Sequence, residues 1–152
     1  VLAVHSLSKR SNLAGLRVGF YAGDPELVSY LREVRKHQGF MVPGPAQAAG
    51  AAALDDQTHV DLQRERYRRR LGALVEVFAA LGIPASVPEG AFYLWVAAPD
   101  GDAWTLVRRL AGEIGLVACP GEFFGEQGAG HVRVAAVATD DRIDLLLERA
   151  GC

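Results

Sequence analysis

The sequence predicts an α/β fold built in two parts, an α/β segment over residues 1–58 and a smaller α+β unit over residues 59–152. Three observations carry this. Two apolar runs, residues 1–4 and 18–22, read as strands separated by a polar turn. A long amphipathic pattern over residues 59–81 reads as a connecting helix. Beyond Gly82-Ile83-Pro84, short β-rich runs alternate with helical periods, the pattern of a small sheet with helices packed on it.

Residues 1–4, Val-Leu-Ala-Val, read as a short buried strand, and residues 6–12 as the polar turn that ends it. After the second strand, Gly23-Asp24-Pro25 gives a turn and a helix start, with Asp24 as N-cap and Pro25 in the first helical position. Leu27, Val28, Leu31 and Val34 follow at helical spacing, so a helix runs over 26–38 and Gly39 ends it. Pro43 and Pro45 make residues 41–45 an irregular loop, because proline disfavours helix on its N-terminal side. Residues 46–54 read as an Ala-rich helix suited to close packing. In the long helix, Val60, Leu62, Tyr67, Leu71, Leu74, Val75, Phe78 and Leu81 form an apolar stripe. The opposite face, from Arg64 to Arg70, is rich in arginine.

In the second part, residues 90–96 contain strong β-formers and read as a strand. Pro99-Asp100-Gly101 is a turn, and residues 103–113 read as a helix with Trp104, Leu106, Val107 and Leu110 inside. Residues 115–119 and 131–136 are further strands, separated by loops over 120–125 and 128–130. Thr139 caps a last helix over 140–149, with acidic residues in its first turn.

The bulk numbers narrow the function classes. The 152 residues suffice for a domain with a real core, half of them are hydrophobic, and the net charge is −2. Such a balance argues against disorder and against a nucleic-acid footprint. The arginine-rich helix face is interleaved with acidic residues and has no aromatic stacking platform, so it reads as a solvated face. No apolar stretch is long enough for a membrane span, and no charged region precedes an apolar one as in a signal peptide. Cys119 and Cys152 make no disulfide framework, which fits a reducing cytoplasm. His5, His37, His59 and His131 lack ligand spacing, so no metal site is expected.

The chemistry concentrates in the first twenty residues. A lysine serves as an amine nucleophile once desolvation or neighbouring positive charge favours its neutral form. Lys9 follows an apolar run, with Arg10 and Arg17 close in sequence, so partial burial is expected. A serine hydroxyl and an arginine fork in the same loop suit a cluster of phosphate oxygens. Gly15 and Gly19 allow the backbone to approach a ligand. A reactive lysine beside a phosphate clamp is what pyridoxal phosphate needs.

The spacing Ser6-Leu7-Ser8-Lys9, then Gly15-Leu16-Arg17-Val18-Gly19, resembles the cofactor-lysine motif of the class I/II pyridoxal-phosphate-dependent aminotransferases, the family with the aspartate-aminotransferase fold. Every fixed position of Ser-x-Ser-Lys and Gly-x-Arg-x-Gly is matched. The resemblance implies that Lys9 is the catalytic lysine linked to pyridoxal 5'-phosphate, and that Ser6 and Arg17 hold the cofactor phosphate. The wording from Ser8 to Gly15 is similar to that of the N-succinyl-diaminopimelate aminotransferases of bacterial lysine biosynthesis.

Arg133 is the second candidate. It lies in an apolar strand between Val132 and Val134, where a charged side chain needs an anionic partner. The strand alone leaves a structural ion pair and a ligand both open. Pro120-Gly121-x-x-Phe124-Gly125 followed by Val132-Arg133-Val134 resembles the C-terminal signature of the same family, which implies that Arg133 binds the substrate α-carboxylate. Phe92, Tyr93 and Trp95 form an aromatic strand, read as core, with the substrate mouth as the alternative. Cys119 reads as packing.

The resemblance covers essentially the whole chain but only the C-terminal part of a family member. Residues 1–58 are then the end of the large cofactor domain, and residues 59–152 the connecting helix and small domain. Starting without methionine and inside a strand, the chain is expected to be a fragment, inactive and poorly stable alone. The implied activity is transamination between an amino acid and a 2-oxo acid by a homodimer when full length, with N-succinyl-LL-2,6-diaminopimelate and 2-oxoglutarate as the expected pair. Another aminotransferase, a carbon–sulfur lyase of the same fold, or a non-enzymatic aminotransferase-like regulator are the alternatives.

Overall fold

Strands β1 (Leu2–Ser6) and β2 (Gly19–Gly23) pair antiparallel, with Val4 opposite Tyr21 and Ser6 opposite Gly19, in a computed structural model that describes residues 1–152. Between the strands lie a four-residue helix, α1 (Leu7–Arg10), and a 3-10 turn, Ala14–Leu16. The residues read as a polar turn are therefore partly helical, because the Ser6 side chain accepts from Ser8 N–H and caps the turn. Asp24 caps α2 (Pro25–His37), its carboxylate accepting from the N–H groups of Glu26 and Leu27 at 3.0 Å, with Pro25 next to it. Helix α3 (Gly44–Asp55) begins inside the stretch expected as a loop, with Pro43 at its N-cap and Pro45 in its first turn, where a missing N–H costs no helical bond.

The expectation of a buried first strand is corrected. The sheet has two strands only, and Val4 is 74% exposed. A two-stranded ribbon lacks the neighbouring strands that would cover these apolar side chains.

Helix α4 (Thr58–Ala80) leads from the first compact unit, Val1–Gln63, into the second, Arg64–Cys152. The second unit holds a three-stranded antiparallel sheet in the order β3 (Tyr93–Ala97), β5 (His131–Ala135), β4 (Cys119–Pro120). Helices α5 (Ala103–Glu113) and α6 (Asp140–Ala150) complete it. Leu94 and Val96 of β3 and Val132 and Val134 of β5 point into a core shared with Leu71, Leu74, Val77 and Phe78 of α4 and Leu110 of α5. Leu62, assigned to the stripe, is instead largely exposed. Phe78 is fully buried, so Phe78→Ala is expected to cost about 3–5 kcal/mol in urea unfolding of the protein, from lost transfer energy plus a cavity.

Residues 115–119 do not form the strand expected. Only Cys119 and Pro120 pair, with Arg133 and Val132. The preceding residues close α5 instead: Gly115 adopts φ +76°, and Leu116 N–H donates to the Leu110 carbonyl. Thr139 sits at the N-cap of α6 without a side-chain capping bond, and Asp140 and Asp141 supply the acidic first turn.

The arginine face of α4 is knit to acidic groups. Arg68 pairs with Glu65 at 2.8 Å, and the Arg70 guanidinium, mostly shielded from solvent, donates to Asp140 of α6. That bond holds the Asp140 carboxyl below the ordinary value of 3.8. Hydrogen bonds from His59 to Asp56 and from the Thr105 hydroxyl to Asp102 do the same for those carboxyls. A depressed folded pKa gives stability that is present above the unfolded value and lost as pH falls through the folded value. Melting temperature is therefore expected to fall below about pH 4, and Asp140→Asn is expected to flatten part of that decline.

Candidate active site

Leu7 fixes the loop that carries Lys9. Its side chain is 1% exposed, its N–H donates to the Val18 carbonyl at 3.2 Å, and its own carbonyl accepts from Ser11 and Leu13. Helix α3 reaches this residue because Gly50 has no side chain: a Cβ there would lie 3.3 Å from both Leu7 and Val18. Of the Ala-rich helix only Ala46 and Gly50 are buried, while Ala48, Ala51 and Ala52 are exposed, so the close packing expected of it rests on the glycine contact. Arg10 ties the other end of α1 down, donating to the Ala53 carbonyl at 2.9 Å and to Gln57 Oε1 at 3.0 Å. Its guanidinium is therefore committed to α3 and its C-terminal loop. Lys9, between these two anchored neighbours, is itself exposed, so the partial burial expected for it is not found in this chain.

Arg17 caps the 3-10 turn with φ 52° and ψ 43°, a left-handed conformation that costs a non-glycine residue about 1–3 kcal/mol. Its Nη1 donates to the Ala14 carbonyl at 2.9 Å, which leaves its other N–H groups available. Two residues later, Gly19 pairs with Ser6 across the ribbon. A Cβ at Gly19 would lie 2.5 Å from the His5 carbonyl oxygen, so Gly19→Ala is expected to disrupt the pairing of Ser6. A loss of more than about 1 kcal/mol in urea unfolding would report it.

Ser6, Lys9 and Arg17 thus lie on the same connection at one end of the β1–β2 ribbon. Arg17 also lines a cavity of about 550 Å³ with His5, Arg32, Arg35 and Gln47, whose wall includes neither Ser6 nor Lys9. The donor set fits a phosphorylated aldehyde: a hydroxyl with its proton still to donate, a guanidinium with unengaged N–H groups, and a primary amine.

In the second unit, the β3–β5 register sets Trp95 opposite Arg133 and Tyr93 opposite Ala135. The face carrying Arg133 therefore also carries Tyr93 and Trp95, while Leu94, Val96, Val132 and Val134 take the core face. The Arg133 Cζ lies 4.5 Å from the Tyr93 ring centroid and 4.3 Å from that of Phe124. No carboxylate of the chain pairs with this guanidinium, and it makes no hydrogen bond; its surroundings are aromatic. The aromatic strand divides accordingly: Phe92 is buried against Tyr67, whereas Trp95 is 48% exposed and stacks on His131 at 5.4 Å. Phe124 was part of a motif in the sequence, yet only the fold of its loop shows that its ring meets Arg133.

Residues 1–149 match the family model for aminotransferases of class I and II, and the chain belongs to that family, which is pyridoxal-phosphate-dependent. It is 46% identical over 156 residues to a probable aminotransferase of Mycobacterium tuberculosis, covering 100% of this chain and 36% of the relative. It is 48% identical over 143 residues to the 4-dedimethylamino-4-oxo-anhydrotetracycline transaminase OxyQ of Streptomyces rimosus, covering 94% and 39%. An LL-diaminopimelate aminotransferase of Aquifex aeolicus shares 35% identity over 147 residues, covering 95% and 38%. Among solved structures, a mutant aspartate aminotransferase of Thermus thermophilus superposes with a TM-score of 0.81 at 31% identity, covering 97% of this chain and 42% of that one. The fold is that of the C-terminal part of the aspartate aminotransferases, and the chain spans just over a third of the length of the curated relatives it matches.

Proposed function

We propose that the whole protein carrying this chain is a pyridoxal-phosphate-dependent aminotransferase. Residues 1–58 form the end of its large cofactor domain, and residues 59–152 the connecting helix and small domain. The observation that carries this reading is the connection between β1 and β2, which brings Ser6, Lys9 and Arg17 to one end of the ribbon. Ser6 and Arg17 bind the cofactor phosphate through a hydroxyl and a charged fork. Lys9 links to the cofactor through its amine and, once released, moves a proton at the substrate α-carbon. Pyridoxal phosphate, when bound, supplies the electron sink that makes that proton acidic. Arg133 orients the amino acid by binding its α-carboxylate bidentately. The absence of any carboxylate partner for Arg133 within the chain supports that role.

The amino-group exchange runs between an amino acid and a 2-oxo acid, in a cytoplasmic homodimer. The proposed pair is N-succinyl-LL-2,6-diaminopimelate with 2-oxoglutarate. The Ser8–Gly15 wording supports it, as does similarity to a relative named for LL-diaminopimelate. A second reading is favoured by the 48% identity to a transaminase named for 4-dedimethylamino-4-oxo-anhydrotetracycline: amination of a ring ketone. Glutamate formation from 2-oxoglutarate, measured with N-succinyl-LL-2,6-diaminopimelate and with LL-diaminopimelate, separates these. Turnover with the succinylated donor supports the first reading. Turnover with neither donor, alongside glutamate-dependent amination of the tetracycline ketone, supports the second.

A further inference from the structure

We infer that Tyr93 and Phe124 are positioning residues that hold the Arg133 guanidinium in place for a carboxylate; this rests on the carboxylate role proposed for Arg133 above. The guanidinium carbon lies over both rings, at 4.5 and 4.3 Å, well inside the range in which an aromatic face attracts a cation. Ring faces stabilise a guanidinium without occupying its N–H donors, so all of its fork remains for a bidentate ligand. An arginine held by an aspartate or glutamate would present a neutralised, occupied fork instead.

Both rings are backed by further structure. Tyr93 meets Phe92 at 4.4 Å, and Phe92 stacks on Tyr67 at 4.8 Å. On the other side, Phe124 sets an edge against Trp95 at 5.9 Å, and Trp95 stacks on His131. The loop that delivers Phe124 folds as two 3-10 turns, Gly121–Phe124 and Glu126–Gly128, whose glycines touch. A Cβ on Gly121 or Gly128 would lie 2.2 Å from the other's carbonyl oxygen, and the Trp95 ring sits beside both. Phe124 is 51% exposed. A phenyl group left half in water adds little to the core, yet it is placed over a cation by a loop that tolerates only glycine at its contact point. A pre-ordered guanidinium binds a carboxylate without first losing rotamer freedom, so the clamp acts on ligand affinity rather than on the chemical step.

The test uses the whole pyridoxal-phosphate-loaded protein and glutarate, the dicarboxylate that lacks the reacting amino group of glutamate. Calorimetry measures glutarate binding, and steady-state kinetics with glutamate separate kcat from KM. Phe124→Leu is expected to weaken glutarate roughly tenfold and to raise KM similarly, while kcat stays within about twofold. Phe124→Tyr, which keeps a ring face, is expected to bind as the parent does. Tyr93→Leu tests the other ring, and it replaces the first variant if Phe124→Leu melts without cooperativity. The clamp is overturned if Arg133→Lys weakens glutarate while Phe124→Leu and Tyr93→Leu bind it as the parent does, and in that case the carboxylate role of Arg133 survives. If Arg133→Lys leaves glutarate binding unchanged, the carboxylate role fails and the clamp with it.

Discussion

Replacing Lys9 by alanine in the whole protein is expected to lower transamination by roughly 10⁴-fold or more, because the proposed mechanism uses the same amine both to link the cofactor and to move the proton. Its place in the fold makes the experiment clean. Lys9 is exposed in this chain, and Leu7, two residues before it, is fixed by burial and by bonds to Val18, Ser11 and Leu13. The loop should keep its shape when the lysine side chain is shortened, with a stability change under about 1 kcal/mol. A coupled assay for 2-oxoglutarate formed from glutamate, run beside a thermal melt, reads both quantities. A folded Lys9→Ala protein that retains more than a few per cent of its activity would remove Lys9 from the mechanism.

Arg133→Ala is expected to lower kcat/KM by roughly 10²–10³-fold, the loss of the charge-assisted pair of hydrogen bonds proposed for the substrate carboxylate, worth about 3–4 kcal/mol. Arg133→Lys keeps the charge but not the fork, and a smaller loss is expected from it. The effect should appear with every amino acid and 2-oxo acid tested, because all share the α-carboxylate. A loss confined to one substrate would instead assign Arg133 to side-chain recognition. Stability should fall by no more than about 1–2 kcal/mol, since the alanine variant leaves no ion partner unsatisfied but loses the contacts with the Tyr93 and Phe124 rings.

The lysine loop was legible because its chemistry is local. Ser6, Lys9 and Arg17 fall within twelve residues, and the helix signals around Asp24 and Pro25 are equally short-range. Burial was less legible because it depends on what lies over a strand. The run from Val1 to Val4 has the composition of a core strand, and its exposure is that of a two-stranded ribbon in a chain that spans just over a third of its relatives' length. Residues 115–118 have strand composition too, but Gly115 and Leu116 are drawn into closing α5, a competition that hydropathy does not show. The surroundings of Arg133 were the least accessible to sequence. Its aromatic neighbours come from β3 and from the loop before β5, and only the antiparallel register and the Gly121–Gly128 contact decide which rings reach it. The split of Phe92 from Trp95 has the same origin: one ring packs on α4, and the other stays half-exposed on the outer face of the sheet.

The most direct test of the central claim is the absorbance spectrum of the whole protein, purified with pyridoxal phosphate, before and after addition of glutamate. The expected result is a visible band that requires Lys9, moves into the near ultraviolet when glutamate donates its amino group, and returns on addition of 2-oxoglutarate. A well-folded protein that shows no such band, or whose band persists unchanged in Lys9→Ala, would contradict the assignment of Ser6, Lys9 and Arg17 and favour a non-enzymatic relative that has lost the cofactor.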